Sequence, residues 1–464
     1  MQENQNNIRV KMATNPKSVC LSSELDLFTR PPYQTGIQSS RWVEYTPTLN
    51  HNNGQLPILI EIPGTKGEYI DLSNIYHYMR LSITKTDNTL ITSADEIGPI
   101  NYIHNTIFKN VDVKFNKTLV SMNCDYGYRS EIESHLNYNR DAKESHLLSS
   151  LWLEDDYGDM DNINFVATKT QDAPADSADK KPIVIDIPRN MGLINRKEIF
   201  VNNSVVEVYG RPHLDVCNLN KLLIDNVDVE FKFSKNKDEF CLLGKSGYMI
   251  KIEDFVLNVR KVKISDKVLL GHAMALEKAN AFYPISRVDV QGRTINMGVT
   301  SDKFENIVKG PLPQRIIIGM VESEAYNGSL VRNPFHFQHF NVQELSVSID
   351  GENSPYQPLT LNYKDSNNLR YIRGYYSLVN LESAIQNSIR PQDYMNGYNL
   401  FGFNLAPDGC VNTDHFNLEK TGNLRINFKF ASPLEKAITV ILYLEYENYF
   451  EISKLRNIDY KFIS

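Results

Sequence analysis

The residue types able to do chemistry are scattered along this chain rather than clustered. His336 and His339 bracket Phe337-Gln338, a gap that suits a pair of imidazole ligands. A zinc site needs three or four protein ligands, and no third one stands at a usual spacing. The pair is expected to hydrogen-bond within a turn after Pro334 instead. Asp155, Asp156, Asp159 and Asp161 have the composition of a calcium loop. They lack the glycine at the sixth position and the closing glutamate at the twelfth, so a solvated, exposed acidic loop is expected over 155–180. Glu131, Glu133 and Glu144 fall on predicted helices. Paired carboxylates facing a cleft hydrolyse glycosides, yet nothing brings these three to one cleft. There is no GxSxG nucleophile elbow, no P-loop and no dinucleotide fingerprint. Arg260, Lys261, Lys263 and Lys267 form the densest basic cluster. It either faces a nucleic acid or, as expected here, lines a solvated strand edge where lysine discourages stray pairing. The sequence therefore assigns no catalytic, cofactor-binding or metal-binding residue, and an enzyme is not expected.

The elements that must position these residues are mostly short strands. Ile58-Leu59-Ile60-Glu61-Ile62 stops at Pro63-Gly64; Tyr78–Ile83, Phe108–Phe115 and Asn226–Phe233 alternate apolar and polar residues. A period of two marks half-buried strands. Further strand-like runs lie at 182–187, 205–209, 250–264, 283–291, 313–321, 340–350, 397–404, 422–430 and 437–446. Two helical stretches interrupt them. In the first, Tyr128, Ile132 and Leu136 step by four; then Asp141 with Glu144 resembles a capping box ahead of Leu147, Leu148 and Leu151. In the second, Ser265 is an N-cap candidate before the stripe Val268, Leu269, His272, Ala273 and Leu276. The lysine-rich Ser234–Ser246 segment is the expected domain boundary. Each half then holds a similar set of strands, compatible with two tandem jelly rolls and with other β sandwiches.

Composition narrows the function. A chain of 464 residues suits two domains. Its net charge of −7 argues against coating nucleic acid by bulk charge. Five cysteines at 20, 124, 217, 241 and 410, with no CxxC pair, are expected to be free thiols made in a reducing compartment. No signal peptide and no membrane helix is expected. Abundant tyrosine, 25 residues, suits β surfaces and contacts between subunits.

A set of blocks spread over nearly the whole chain is similar to a known family. They include Ser23-Glu24-Leu25-Asp26-Leu27-Phe28, Pro31-Pro32-Tyr33-Gln34-Thr35, Trp42-Val43-Glu44-Tyr45, Tyr69-Ile70-Asp71-Leu72-Ser73-Asn74 and Asp141-Ala142-Lys143-Glu144-Ser145. Later come Asn220-Lys221-Leu222-Leu223, Ala275-Leu276-Glu277-Lys278, Asn333-Pro334-Phe335-His336-Phe337, His415-Phe416-Asn417-Leu418 and Gly422-Asn423-Leu424-Arg425. No block is specific alone; their order and coverage are. The chain resembles the major capsid protein of Polinton (Maverick) elements and the related adintoviruses.

The resemblance implies an all-β chain of two tandem antiparallel jelly rolls with short helical insertions. Residues 1–45 would be an N-terminal arm, lying beneath neighbouring subunits. Residues 46–240 would form the first roll, with its helical insertion near 125–155; 241–450 the second roll; and 451–464 a C-terminal tail. Three copies would form a pseudo-hexagonal capsomer tiling an icosahedral shell around double-stranded DNA. The implied partners are the homotrimer, neighbouring capsomers, and penton and minor capsid proteins, with the genome contacted at most indirectly. The location would be the virion, after synthesis in the host cytoplasm. The rival readings are a β-sandwich carbohydrate-binding attachment protein and a β-sandwich glycosidase.

Overall fold

The computed structural model describes residues 33–48, 57–165, 168–171, 183–186, 189–308, 310–355, 357–365, 368–381, 388–409 and 415–460. The expected arm up to residue 32, and 166–167 and 172–180 of the acidic segment, lie outside the described residues.

The first roll uses strands β1 (Ile37–Tyr45), β2 (Ile58–Ile62), β3 (Glu68–Lys85), β4 (Ile97–Pro99), β5 (Phe108–Phe115), β6 (Thr118–Asn123), β7 (Thr168–Gln171), β8 (Ile183–Asp186), β9 (Val206–Gly210), β10 (Val229–Lys235), β11 (Leu242–Gly244) and β12 (Tyr248–Ile264). One sheet runs β1-β12-β3-β9 and the other β2-β10-β5-β6. Alternation sends one face of each strand into the space between the sheets. Phe231, for example, lies opposite both Ile60 and Val113, and all three are fully buried.

The second roll uses β13 (Ala281–Ile295), β14 (Ser301–Phe304), β15 (Arg315–Glu322), β16 (Val342–Ile349), β17 (Glu352–Asn353), β18 (Leu359–Thr360), β19 (Leu400–Asn404), β20 (Leu424–Phe430), β21 (Ile438–Ile452) and β22 (Ile458–Tyr460). Its sheets run β13-β21-β15-β19 and β14-β20-β16-β17. Numbering the eight framework strands of each roll in chain order gives one permutation twice: first-eighth-third-sixth against second-seventh-fourth-fifth. That is a jelly roll, and the chain contains two in tandem. β21 departs from alternation. Ile438 to Tyr446 are all buried, because one face lies on the core of its own roll and the other lies against the first roll. Strands covered on both faces become continuously apolar.

The longer helices among the described residues are α1 (Tyr126–Leu136), α2 (Met191–Asn202), α3 (Asp266–Leu276) and α4 (Ile372–Val379). α1 and α2 occupy the connection between the fifth and sixth framework strands of the first roll. α4 occupies the same connection in the second and packs on β19. α3 links the rolls.

Four sequence expectations are corrected. The boundary at Ser234–Ser246 falls inside the first roll, because β12 pairs with β3 over most of its length and with β1 on its other side. The division comes at α3 instead. The stretch 37–45 is not arm but the edge strand β1. The expected tail begins as a hairpin, with Ile458–Tyr460 pairing back on β21. The cap of the short helix Arg140–Lys143 is Asn139, whose side chain accepts from the Ala142 amide. Glu144 pairs with Arg140 rather than closing a capping box on Asp141.

Candidate functional site at the seam between the rolls

The charged groups with the least access to water meet where the two rolls pack. On α1, Arg129 and Glu133 stand one turn apart on one face. Arg129 Nε lies 2.8 Å from Glu133 Oε1, and its Nη1 lies 2.7 Å from Asp215 Oδ1 and also bonds Asn123. Asp215 Oδ2 accepts from Ser121 Oγ at 2.8 Å. Glu133 Oε2 lies 2.7 Å from His213 Nδ1, whose Nε2 lies 2.9 Å from the Tyr102 hydroxyl. Two bonds of this network cross the seam. Tyr443 of β21 donates to Glu133 at 3.1 Å, and the Val288 amide of β13 donates to Asp215 Oδ1 at 3.1 Å.

Burial on its own raises the Glu133 pKa. The Arg129 charge and the His213 hydrogen bond outweigh it and bring the carboxyl down to about 2. The network is thus an ionised buried cluster whose charges are all paired, which an interior requires.

A second cluster extends the seam. Asp155 is 2% exposed. Its Oδ1 accepts from Arg196 Nη2 of α2 at 2.5 Å and from Asn190 at 2.8 Å. Its Oδ2 accepts from Asn333 Nδ2 of the second roll at 2.7 Å, and the Tyr398 hydroxyl donates to its main-chain oxygen at 3.0 Å. Asp161 meets His336 Nδ1 at 2.7 Å and accepts the Asn333 amide at 2.7 Å. Burial raises the Asp161 pKa, and the His336 bond more than reverses it. The solvated acidic loop is therefore corrected for Asp155 and Asp161: this segment docks the first roll onto the second. His336 does not bond only within its own turn. His339 stays local, accepting the Asn341 amide at 2.9 Å and stacking on Tyr363 with ring centres 4.1 Å apart. Among the described residues no group of three or more His, Cys, Asp or Glu side chains is placed to hold a metal.

The helix carboxylates do not converge. Glu131 and Glu133, two residues apart, leave α1 on different sides. Glu131 Oε1 meets Asn101 and His135, each at 3.2 Å, while Glu144 is exposed. His135 passes on to Lys143, 3.0 Å away, whose ammonium lies 4.1 Å from the Trp152 ring centre. Burial brings Lys143 down to about 8. Glu131, Glu133, His135 and Lys143 are all buried, so the two helix carboxylates face side chains rather than open space.

The basic cluster is corrected as well. β12 is an interior strand, not an edge. Lys261 is 3% exposed and donates to the Pro63 carbonyl at 2.9 Å and Thr65 Oγ1 at 3.1 Å. Arg260 pairs with Asp71 at 2.8 Å. Lys263 and Lys267 alone are exposed. The described cysteines 124, 217 and 241 are free thiols, and no helix among the described residues is long and apolar enough to cross a membrane.

Asp215, His213 and Tyr443 escaped the sequence reading. Each is an ordinary residue in its local pattern, and only pairing across 80 or more positions gives it meaning. Asp155 had a signal in Arg196, which shares the buried face of its helix with Leu193 and Phe200.

No family model matches the chain. The Caenorhabditis elegans protein "Uncharacterized protein F54H12.2" is 23% identical over 448 residues, covering 92% of this chain and 98% of that one. Among solved structures, a chain of the Sputnik virophage matches with TM-score 0.61 at 10% identity, over 96% of this chain and 93% of that chain. The Faustovirus major capsid protein matches with TM-score 0.56 at 10% identity, over 96% of each chain. The VP54 protein of PBCV-1 matches with TM-score 0.58 at 8% identity, over 94% of this chain and all of that one. At these identities the likeness is one of fold, and it spans both rolls.

Proposed function

We propose that this chain is a major capsid protein of the Polinton and adintovirus kind, a structural subunit rather than an enzyme. Three copies form a capsomer of nearly sixfold outline, and capsomers tile an icosahedral shell around double-stranded DNA. The observation that supports this reading above others is the repeated strand permutation, its two copies joined by a buried ionic seam. It makes one rigid block out of two equal units, the form a trimer needs to present six similar sides. The chain-long likeness in fold to viral capsid proteins supports the same reading.

A further observation concerns the surface. Trp42 on β1, Tyr76 on β3 and Tyr209 on β9 form a row on the outer face of one sheet, with ring centres 5.8 and 5.5 Å apart. Trp42 is 54% exposed. Exposed aromatic rows mark association surfaces. Rotational symmetry of a trimer makes each contact heterologous, so this row meets a different patch on the next copy. A stable trimer buries about 2,000–5,000 Å² per interface. In this reading penton and minor capsid proteins and neighbouring capsomers are the other partners. The genome is contacted at most indirectly, in keeping with the net charge of −7. The protein is made in the host cytoplasm and resides in the virion.

Light scattering on the purified chain, with negative-stain electron microscopy, tests this. The expected result is a particle of three times the 53.2 kDa chain mass with a hexagonal outline, or closed shells. A monomer, or a small oligomer that captures glycans, overturns it.

A further inference from the structure

The seam joins unlike parts of the two rolls. From the second roll it uses the outer face of the sheet β13-β21-β15-β19, where Tyr443 and Val288 make their bonds and Ile438 to Tyr446 are all buried. From the first roll it uses an edge. β13 packs on β6, on α1 and on the turn Asp215–Asn218. These are the fifth framework strand, the connection from the fifth strand to the sixth, and the connection from the sixth to the seventh. One face and one edge are thereby covered inside the chain.

The counterpart surfaces are open. The first roll's equivalent of β21 is β12, the eighth strand of its own sheet. β12 alternates, leaving Val256 and Asn258 half-buried. Register sets Asn258 opposite both Glu44 and Tyr76, and Tyr78 opposite Tyr209. The aromatic row therefore lies on the face that corresponds to the covered one in the second roll. The second roll's equivalent edge carries α4, again between the fifth and sixth strands. α4 buries Gly374, Ser377 and Leu378. On its other side Ile372 and Tyr376, one turn apart, are 46% and 54% exposed. A helix that is apolar on two sides calls for a second partner. Charge agrees. The sheet face carries Glu44, Glu207 and Asp254 against Arg80, since Arg260 is paired with Asp71. Beside Ile372 stand Arg370 and Arg373, both exposed. Complementary charge of this kind fixes register and choice of partner.

We infer that the outer face of β1-β12-β3-β9 on one copy receives α4 of the next, with Trp42, Tyr76 and Tyr209 against Ile372 and Tyr376. The inference rests on the three-copy reading and names the patch that faces the aromatic row. In a closed ring every contact is heterologous. Each roll offers one face and one edge. The seam takes the face of the second roll and the edge of the first, so the remaining face and edge are the pair left to close the ring. The contact between copies repeats the one within the chain.

The test uses the full chain with Tyr376→p-benzoyl-phenylalanine, with sedimentation of the same sample. The expected result is a three-chain particle that gives covalent dimers and trimers on irradiation. The joined peptides should link position 376 to β1, β3, β9 or β12 of another copy. A three-chain particle joined elsewhere, joined only within one chain or not joined overturns the inference and leaves the capsid reading standing. A monomer overturns both. As a second measurement, Trp42→Ala and Tyr376→Ala should each weaken association about tenfold or more. The double variant should lose about threefold less than the product of the two, because residues in contact are coupled. Losses that multiply in full overturn the inference as well.

Discussion

One oxygen of Asp215 serves both rolls: Oδ1 takes the Arg129 guanidinium at 2.7 Å from its own roll and the Val288 amide at 3.1 Å from the other. An ion pair in the first roll and the placement of β13 therefore depend on a single atom that is fully enclosed.

Asp215→Ala should be strongly destabilising, by about 3–5 kcal/mol, since it strands a buried guanidinium and an amide. Urea midpoints of the variant and parent measure this. Replacing Arg129 and Asp215 together with Met and Leu should cost less than the two single changes summed, because the stranded partners leave together, while Glu133 keeps only His213 and Tyr443. A double variant as unstable as the sum of the singles would contradict this account.

Glu133 confers an acid sensitivity of defined sign. Its carboxyl is held at about 2 in the folded chain against 4.5 unperturbed, so its contribution is present above about pH 4.5 and is lost as pH falls toward 2. The difference corresponds to about 3 kcal/mol at most. Glu133→Gln should lower stability at pH 7 and flatten the decline below pH 4.5, as followed by thermal melts across that range.

The stacked pair His77 and His104 acts in a higher window. The rings lie 3.7 Å apart in the first roll's core, each with Nε2 on the other's carbonyl, at 3.3 and 2.9 Å. Burial keeps both neutral. His104 falls to about 3 from 6.5, and His77 is held well down by burial and by its neighbour. The unfolded chain binds these protons first, so stability should fall as pH drops from about 6.5, by about 1.4 kcal/mol per unit for each ring. Changing both to Phe should make the slope between pH 6.5 and 4.5 shallower, at the expense of two hydrogen bonds at pH 7.

Trp42→Ala removes a half-exposed ring that touches Tyr76 on the outer sheet face. The folded chain should lose under about 1 kcal/mol in urea melts, as exposed positions do. Its association should weaken at least tenfold by sedimentation, as loss of an aromatic anchor does. Unchanged association would remove this row from the interface.

Much of the framework was legible because strand alternation is local. Ile58–Ile62 and Phe108–Phe115 are read from spacing alone and are strands with those bounds. β12 was legible as a strand but not by its sheet. Its partners Ile83 and Trp42 are far away in the sequence, and no local pattern reports them. The same distance hid the seam. A run of aspartates looks solvated until Arg196 and Asn333 arrive from other elements, and a lysine inside β12 looks like an edge guard until β1 flanks it. α2 went unread because Arg196 and Lys197 interrupt its buried apolar stripe, and Arg196 is there to reach Asp155.

The placement of ionised groups between the rolls has a mechanical consequence. Rocking one roll on the other would pull Asp215 from Val288 and Glu133 from Tyr443, baring charge where water cannot follow. The seam therefore opposes relative motion of the two rolls. An array of such molecules would take its curvature first from the angles at which molecules meet.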